Sequence, residues 1–266
     1  MSRLVRLVLV ILFAALAVSP LVAQLGHAAP SPFANDLLGE HVVAPSNSKA
    51  PSAEDTLNAF LQRSQQQRSA LTEYSDITII HADLPDTSQS GEYELRRRYV
   101  APKTLEFKPI RFTGDSFVKS NIIVRLLQSE VDHVTKDDAA QTAITTQNYK
   151  FKHKYTLTSY ADNHVTYVYD VKPRKKRPGL FKGRIWVDAP TGALTRAEGR
   201  IVKSPSLFIK RVEFVQEYQQ VDGFTLPSHL HSVSKVRILG RAVVDIVHRD
   251  YRSSNAQAIL EVASGQ

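Results

Sequence analysis

Two histidines separated by a single residue form the pattern in this sequence that most resembles a metal site. His229 and His231 lie in a segment predicted to be a β-strand, so both imidazoles project from the same face. Such a pair can begin a zinc site, with His248 or His153 as a third ligand. The large apolar residues of this segment occupy the opposite face, however, which places the pair on the polar side of the strand. We therefore expect no bound metal.

Known catalytic constellations are absent from the sequence. It has no G-x-S-x-G nucleophile elbow, no cysteine nucleophile, no glycine-rich phosphate loop and no H-E-x-x-H metal motif. The adjacent carboxylates of Asp137 and Asp138 fall in a polar segment that is predicted to be a loop. The sequence therefore predicts a protein that is not an enzyme and needs no cofactor.

Basic side chains form two clusters. Lys172 to Arg177 reads KPRKKR and lies between two predicted strands, where it can contact anionic headgroups or an acidic partner. A solvated loop is the simpler interpretation of the same residues. The second cluster, Arg96 to Arg98, lies within a predicted strand whose alternation places Arg97 on the apolar face. An arginine there needs a partner, so Arg97 either holds a lid by hydrogen bonding or lies at the exposed end of the strand.

The single tryptophan, Trp186, alternates with the polar side chains of its predicted strand. An exposed tryptophan can mark a binding surface, and it can equally cover the outer face of a sheet. The sequence leaves both interpretations open.

The amino-terminal segment has the three parts of a secretory signal peptide. Arg3 and Arg6 give it a positive start, Leu7 to Val18 is an apolar run, and the small residues Ala23 and Ala28 offer cleavage sites. The run is shorter than the roughly 20 residues that a membrane span needs, which favours cleavage over a permanent anchor.

Export sets the expected surroundings and partners of the protein. The sequence has no cysteine, which excludes disulfides and a lipoprotein acylation site. Its net charge of +8 can attract anionic lipid or nucleic acid, and of these an exported protein meets lipid. We expect a soluble periplasmic monomer that contacts membranes transiently and binds no nucleic acid. The expected segments are a signal peptide at residues 1–28, a flexible linker at 29–52, one β-domain at 53–252 and a tail at 253–266.

Two helices are predicted after the linker. The first runs from about Ser52 to Ser69, with Ser52 as its cap and an apolar side that includes Phe60. The second spans Asp115 to Val131, with Thr113 as its cap. Because this second helix is apolar around much of its circumference, it must be covered or must cover something.

The other regular segments alternate between apolar and polar residues with the period of a β-strand. Tyr149 to Leu157 is predicted to keep every second side chain on one apolar face, and Val236 to Ile246 shows the clearest alternation. Pro109 indicates an edge strand or a bulge, and Pro190–Thr191–Gly192 and Asp222–Gly223 are turn sequences. One buried and one wet face is typical of antiparallel sheets. We predict a mainly β (α+β) fold, a strongly curved antiparallel sheet of about ten strands that forms an unclosed half-barrel, with helices covering its concave face.

A curled sheet with only two helices to cover it is expected to leave an apolar hollow. Such a hollow suits an acyl chain, because each buried methylene contributes about 0.8 kcal/mol. A core filled completely by side chains is the alternative. The second helix would be the lid, and the apolar strand faces would be the walls. The residues expected to line the lid and the hollow are Phe117, Ile122, Val124, Leu126, Leu127, Tyr167, Tyr169, Ile185, Val244 and Ile246.

A late hairpin adds a resemblance to a known family. Residues 183–199 read GRIWVDAPTGALTRAEG, in which a strand ending at Asp188 turns at Thr191–Gly192 into a charged strand. Together with the signal peptide, the first helix and the long meander, this segment resembles the LolA/LolB-type outer-membrane lipoprotein-sorting proteins, a group that also includes the N-terminal domain of the RseB stress sensors. The resemblance covers roughly Ala53 to Arg252. It implies an unclosed barrel with a helical lid that carries lipoprotein acyl chains; the alternative is a sensor on the same fold that binds an envelope membrane protein and transports nothing.

Overall fold

The structure, a computed structural model, describes residues 51–136, 139–159, 164–204, 209–237 and 239–253. The predicted signal peptide, nearly all of the predicted linker and the tail from residue 254 lie outside these ranges, as does the Asp137–Asp138 pair. Among the described residues, no helix combines the length and the apolar character that crossing a membrane requires.

Ten strands and several helical segments follow one another along the described chain. Helix α1 (Ala53–Ala70) comes first, followed by β1 (Glu73–Leu84), a 3₁₀ turn (Pro85–Thr87), β2 (Gln89–Val100) and β3 (Thr104–Gly114). A continuous helical segment, called the covering helix below, then consists of α2 (Ser116–Val118), a π-helical turn (Lys119–Ile123) and α3 (Val124–Thr135). The rest of the described chain contains α4 (Ala139–Thr142), β4 (Tyr149–Thr158), β5 (Val165–Pro173), β6 (Phe181–Asp188), β7 (Leu194–Ile201), β8 (Ile209–Val221), β9 (Phe224–Val236) and β10 (Gly240–Ser253).

All ten strands belong to one antiparallel sheet, in the order β3-β2-β1-β10-β9-β8-β7-β6-β5-β4. Strands β3 and β4 are therefore at opposite edges, and the sheet does not close into a barrel. The connection from β3 to β4 contains the covering helix and has to cross one face of the sheet, which we call the inner face. The prediction of an unclosed antiparallel sheet of about ten strands with helices over one face is confirmed.

Helix α1 lies on the same inner face and begins where the sequence predicted. Ser52 and Asp55 form a capping box, in which the Asp55 amide donates to Ser52 Oγ at 3.2 Å. Near the other end of the helix, the Gln67 side-chain amide exchanges two 2.8 Å hydrogen bonds with the backbone of Thr225. Both ends of α1 are thus held by specific polar contacts.

Two irregularities in the sheet decide which side chains face inward. In β4 the register shifts between His153 and Tyr155. As a result, His153 packs edge-on against the Tyr169 ring on the inner face, while Tyr155 and Leu157 turn outward. The prediction of one continuous apolar face from Tyr149 to Leu157 is therefore wrong at its carboxyl end, where Leu157 is 47% exposed. In β3 the register shift falls beside Pro109, and β3 is an edge strand, as that proline indicated.

Candidate functional site

The covering helix buries one side against the inner face of the sheet. Its residues Ile122, Ile123, Leu126 and Leu127 form one apolar cluster with strands β1, β2, β9 and β10; we call this the lid cluster. The other buried members are Ile80, Ala82, Leu84, Tyr93, Leu95, Val118, Leu230, Val236, Ala242, Val244 and Ile246. The cluster joins residues from the first two and the last two strands of the chain, because β1 pairs with β10.

The start of the covering helix is fixed by polar groups. The helix is capped by Asp115, whose carboxylate accepts a 2.7 Å hydrogen bond from the Phe117 amide. The prediction of Thr113 as the cap was wrong, because Thr113 is still part of β3. One turn later the Lys119 ammonium lies 4.6 Å from the centroid of the Phe112 ring, a cation–π contact with the edge strand.

A second apolar cluster lies under helix α1, and we call it the α1 cluster. Phe60 packs there with Tyr169 and Ile185, while Tyr167 is partly buried beside them. The Tyr169 hydroxyl donates to the Ala53 carbonyl at 2.5 Å, which ties the helix start to β5. A cavity of about 30 Å³ between α1 and the sheet, lined in part by Phe60 and Tyr218, is large enough for no more than a water molecule.

The ten residues predicted to line the hollow fall into three groups. Five of them meet in the lid cluster: Ile122, Leu126, Leu127, Val244 and Ile246. Tyr167, Tyr169 and Ile185 lie in the α1 cluster instead. Phe117 and Val124 are 37% and 44% exposed, on the side of the covering helix that faces away from the sheet. In this structure the covering helix therefore packs directly on two of the predicted wall residues, Val244 and Ile246, and the other three lie in the α1 cluster.

Between the apolar side chains, a buried cluster of charged and polar groups surrounds Arg97. The guanidinium is 1% exposed and donates from Nε to Asp76 Oδ2 at 2.8 Å and from Nη1 to Glu130 Oε1 at 2.8 Å. Its Nη2 donates to the Tyr251 hydroxyl at 3.2 Å. Asp76 is the cross-strand neighbour of Arg97, whereas Glu130 belongs to α3. Arg97 thus joins the sheet to the covering helix, the first of the two roles that the sequence left open for it.

Further inner-face groups complete this ion cluster. His248 Nδ1 lies 3.2 Å from Asp76 Oδ1, and the Thr78 hydroxyl donates to the same oxygen at 2.5 Å. The Arg97 guanidinium carbon also lies 5.2 Å from the centroid of the Tyr74 ring. Every buried donor and acceptor named here has a counterpart, which a charge in an apolar interior requires.

The protonation states in the ion cluster follow from burial and from Arg97. Burial raises the pKa of Asp76, but the Arg97 charge and the hydrogen bonds from His248 and Thr78 outweigh it and lower this pKa to about 2. Burial, reinforced by the Arg97 charge, lowers the pKa of His248 to about 4. Burial raises the pKa of Glu130 in spite of its contact with Arg97. At neutral pH Asp76 is therefore ionised and His248 is neutral.

The sequence singled out Arg97 but missed the partners that neutralise it. Asp76 and His248 occupy inner-face positions in strands whose other inner residues include Ile80 and Ile246. Polar residues at buried positions of an alternating strand are the signal that can identify such a cluster. Glu130 carried no comparable signal, because it lies in a helix that also has exposed charges such as Asp132.

The histidine pair lies on the other face of the sheet. His231 Nδ1 is 2.8 Å from Asp245 Oδ1, and His229 Nε2 is 3.4 Å from the same oxygen. The predicted third ligands are elsewhere, since His248 is buried on the inner face and His153 belongs to β4. Across the described ranges, no group of three histidine or acidic side chains is arranged to hold a metal ion.

Trp186 also lies on this outer face. Its ring is half-buried between two guanidinium groups, with the Arg184 and Arg196 carbons 5.6 and 5.2 Å from the ring centroid. Both arginines are ion-paired with Glu198, at 2.7 and 2.9 Å. The tryptophan therefore covers the outer surface of β6, one of the two roles considered for it.

Comparison with known proteins gives only remote likenesses. Neither the scan against protein-family models nor the search of curated proteins finds a match. Among solved structures, a LolA superfamily protein from Nitrosomonas europaea is 12% identical, with a TM-score of 0.36 and coverage of 74% of this chain and 93% of that one. A DUF1329 family protein from Desulfovibrio piger is 11% identical, with a TM-score of 0.37 and coverage of 76% and 92%.

A third solved structure, a domain assigned to outer-membrane lipoprotein sorting from Vibrio parahaemolyticus, is 14% identical with a TM-score of 0.40, and the match covers 76% of this chain and 94% of that one. The group named by the first and third of these structures is the one that the sequence of residues 183–199 resembled. At these TM-scores the likenesses carry no weight for function, which has to rest on the lid cluster and the ion cluster of this chain.

Proposed function

We propose that this protein is a periplasmic carrier that binds acyl chains of lipids or lipoproteins between the covering helix and the inner face of the sheet. The observation that supports this most is that one amphipathic helix covers an apolar wall and is joined to that wall by a buried ion cluster. Such a helix can leave as a unit, and it would uncover an apolar surface formed by residues of β1, β2, β9 and β10.

An acyl chain can replace the contacts that the helix makes. Each methylene contributes about 0.8 kcal/mol on burial, so a long chain supplies on the order of 10 kcal/mol before the costs of ordering it. The wall it would meet is mostly aliphatic, with Val244, Ile246 and Leu230 among its members. The same methylenes would face Leu126 and Leu127 on the lid, so both sides stay covered with the ligand in place.

The helix has a natural pivot where it leaves β3. Gly114 has a φ of 102°, and a β-carbon there would lie 2.5 Å from the Ser90 carbonyl oxygen, so the backbone turns where only glycine fits. Asp115 follows at once and caps the helix. Rotation about this junction would lift α3 while leaving the sheet intact.

The ion cluster is compatible with a lid that opens, because opening would separate only one of the two ion pairs of Arg97. If α3 moves away, Glu130 leaves with it and reaches water, where its charge is solvated. Arg97 keeps its 2.8 Å contact with Asp76, which belongs to the neighbouring strand. The buried guanidinium therefore retains a counter-charge in the open state, which reduces the cost of opening.

The test is whether the purified protein carries lipid. Protein exported and purified without detergent is extracted with organic solvent, and the stripped protein is then titrated with a fluorescent fatty acid. We expect fatty acyl species in the extract and saturable binding of the probe. Lipid-free protein that also leaves the probe fluorescence unchanged would contradict the proposal.

Two substitutions on the covering helix localise the binding. Leu126→Gln places an amide on the buried side, and Gln128→Leu places an apolar side chain on the exposed side, two residues further along the same helix. We expect Leu126→Gln to weaken probe binding and Gln128→Leu to leave it close to the original affinity. Circular dichroism of both variants checks that the fold is kept.

A further inference from the structure

The outer face of the sheet carries a groove of about 720 Å³ that crosses β4 to β8. Most of the side chains that line it point outward, and each strand also contributes the inward-facing residue between them. On β6, for example, the outward-facing Lys182 and Arg184 flank Gly183. The groove therefore lies opposite the covering helix. Its floor contains the cross-strand pair Gly183–Gly199, where a β-carbon on Gly183 would lie 1.9 Å from the Glu198 carbonyl oxygen.

Cationic side chains cross this groove in a row. Lys150 is directly opposite Lys172, and Lys182 is directly opposite Arg200. The pairing of Val171 with Gly183 brings Lys172 and Lys182 into the same register on β5 and β6. All four side chains are exposed. Neighbouring strands place them about 5 Å apart at their β-carbons, so the row spans about 15 Å.

The members of this cation row form no ion pair with any other described residue. The groove also contains Arg184 and Arg211, but these are paired with Glu198 and Glu213. In all, seven cationic side chains and three carboxylates line the groove. Like charges directly opposite one another destabilise a sheet, so this arrangement costs folding stability unless an anion neutralises it.

We propose that the cation row is a binding site for a small anion with two or more clustered phosphate groups. Each phosphate monoester carries about −1.5 to −2 charges in a compact volume, which matches four positive charges over such a short row. An extended acidic peptide presents same-face carboxylates only about every 6.8 Å and would place about two of them along it. The groove volume also falls within the range of small-ligand sites, whereas a flat membrane would not enter it.

The site is tested with inorganic tripolyphosphate as the probe, using calorimetric titration of the purified protein at two salt concentrations. We expect saturable binding that weakens as salt is added, because ion contacts with phosphate are screened. The double variant Lys172→Gln/Lys182→Gln should bind about tenfold more weakly or worse. The matched control Lys108→Gln/Lys235→Gln removes the same charge from exposed positions outside the groove and should bind like the parent.

Thermal unfolding without ligand separates binding from a structural role. Because the row repels itself, Lys172→Gln/Lys182→Gln should unfold at the same temperature as the parent or higher, whereas a structural role would lower that temperature. Vesicles of phosphatidylcholine with and without phosphatidic acid distinguish a membrane surface from a soluble anion, and loss of tripolyphosphate binding in the double variant supports the site. Failure of tripolyphosphate to bind, binding of the phosphatidic acid vesicles in its place, equal weakening in the control variant, or tighter binding of hexaglutamate than of tripolyphosphate would overturn the proposal.

Discussion

Arg97 Nη1 lies 2.8 Å from Glu130 Oε1, and through this contact a buried side chain of the sheet holds the helix that covers it. Both side chains are almost fully buried. A buried ion pair of this kind adds little net stability compared with apolar packing, but breaking it by removing one partner is costly. The pair therefore acts more as a latch that specifies where the covering helix lies than as a source of stability.

Removing the arginine should strongly destabilise the protein. Arg97→Met leaves Asp76 and Glu130 buried without their counter-charge, so we expect the free energy of unfolding to fall by about 3–5 kcal/mol, measured by urea denaturation. The control is Arg98→Met, which removes an exposed arginine paired with Glu73 from the next position of the same strand. That change should cost far less, because an exposed ion pair contributes little to stability. Equal losses in the two variants would contradict the role given to Arg97.

Weakening the latch from the helix side should loosen the covering helix locally. Glu130→Gln keeps the shape of the side chain and removes its charge, so amide hydrogen exchange over residues 124–135 should become about tenfold faster. Amides in β1 should exchange as before. Asp132→Asn changes an exposed carboxylate on the same helix and serves as the control. Unchanged exchange in Glu130→Gln would show that the apolar contacts alone hold the helix.

The buried histidine predicts how stability depends on pH. The pKa of His248 falls from 6.5 in the unfolded chain to about 4 in the folded protein, so the folded state binds fewer protons between these values. The contribution of His248 to the free energy of unfolding is therefore complete above pH 6.5, its pKa in the unfolded chain, and is lost as the pH falls towards its folded-state pKa of about 4. We expect the free energy of unfolding to fall by about 2 kcal/mol between about pH 7 and about pH 5. Asp76, with its pKa lowered to about 2, adds a further loss only below its unfolded value of 3.8.

The comparison that isolates this histidine is His248→Gln, measured by urea denaturation at both pH values. Glu130 has the opposite effect on stability, because its raised pKa lets the folded state bind a proton as the pH falls. This effect is present in the parent and in the variant alike, so the comparison removes it. The variant should therefore lose clearly less stability than the parent on acidification. The same loss in both would show that His248 is not the group responsible.

Close backbone approach at the cross-strand pair Gly183–Gly199 gives a steric prediction. A β-carbon on Gly183 would overlap the Glu198 carbonyl oxygen, so Gly183→Ala should cost about 3 kcal/mol through forced separation of β6 and β7. Gly223 has nothing within 4 Å of such a carbon but has a φ of 82°, so Gly223→Ala tests backbone conformation without a clash. We expect about 1 kcal/mol for it, measured by thermal unfolding.

The strands were predictable from the sequence because alternation records which residues face the core. The strand from Gly240 to Ile246 and the turn at Asp222–Gly223 are where the pattern placed them. Val236, which was predicted to belong to that same strand, instead ends β9. The bulge after His153 was not predictable, because the alternation of residue types continues through β4 without a break. The one extra residue at the bulge nevertheless turns Tyr155 and Leu157 outward.

The alternation pattern also could not predict which distant elements of the chain meet at the ion cluster. The pairing of β1 with β10 brings Asp76 near His248 across most of the chain length, and no local signal specifies that neighbour. Arg97 could be singled out because it interrupts an apolar face, but its partner on α3 depends on how the covering helix crosses the sheet. Local periodicity thus identified the covering helix and several apolar residues of the lid cluster, while the contact that joins helix and sheet required tertiary structure.

The most direct test of acyl-chain binding is photocrosslinking with a fatty acid that carries a photoreactive group along its chain, followed by mapping of the adducts by mass spectrometry. The account predicts adducts on inner-face residues and on the buried side of the covering helix, with Leu126, Val244 and Ile246 among them, and their loss when unlabelled fatty acid competes. Adducts confined to the outer face, or labelling that competition does not reduce, would contradict it.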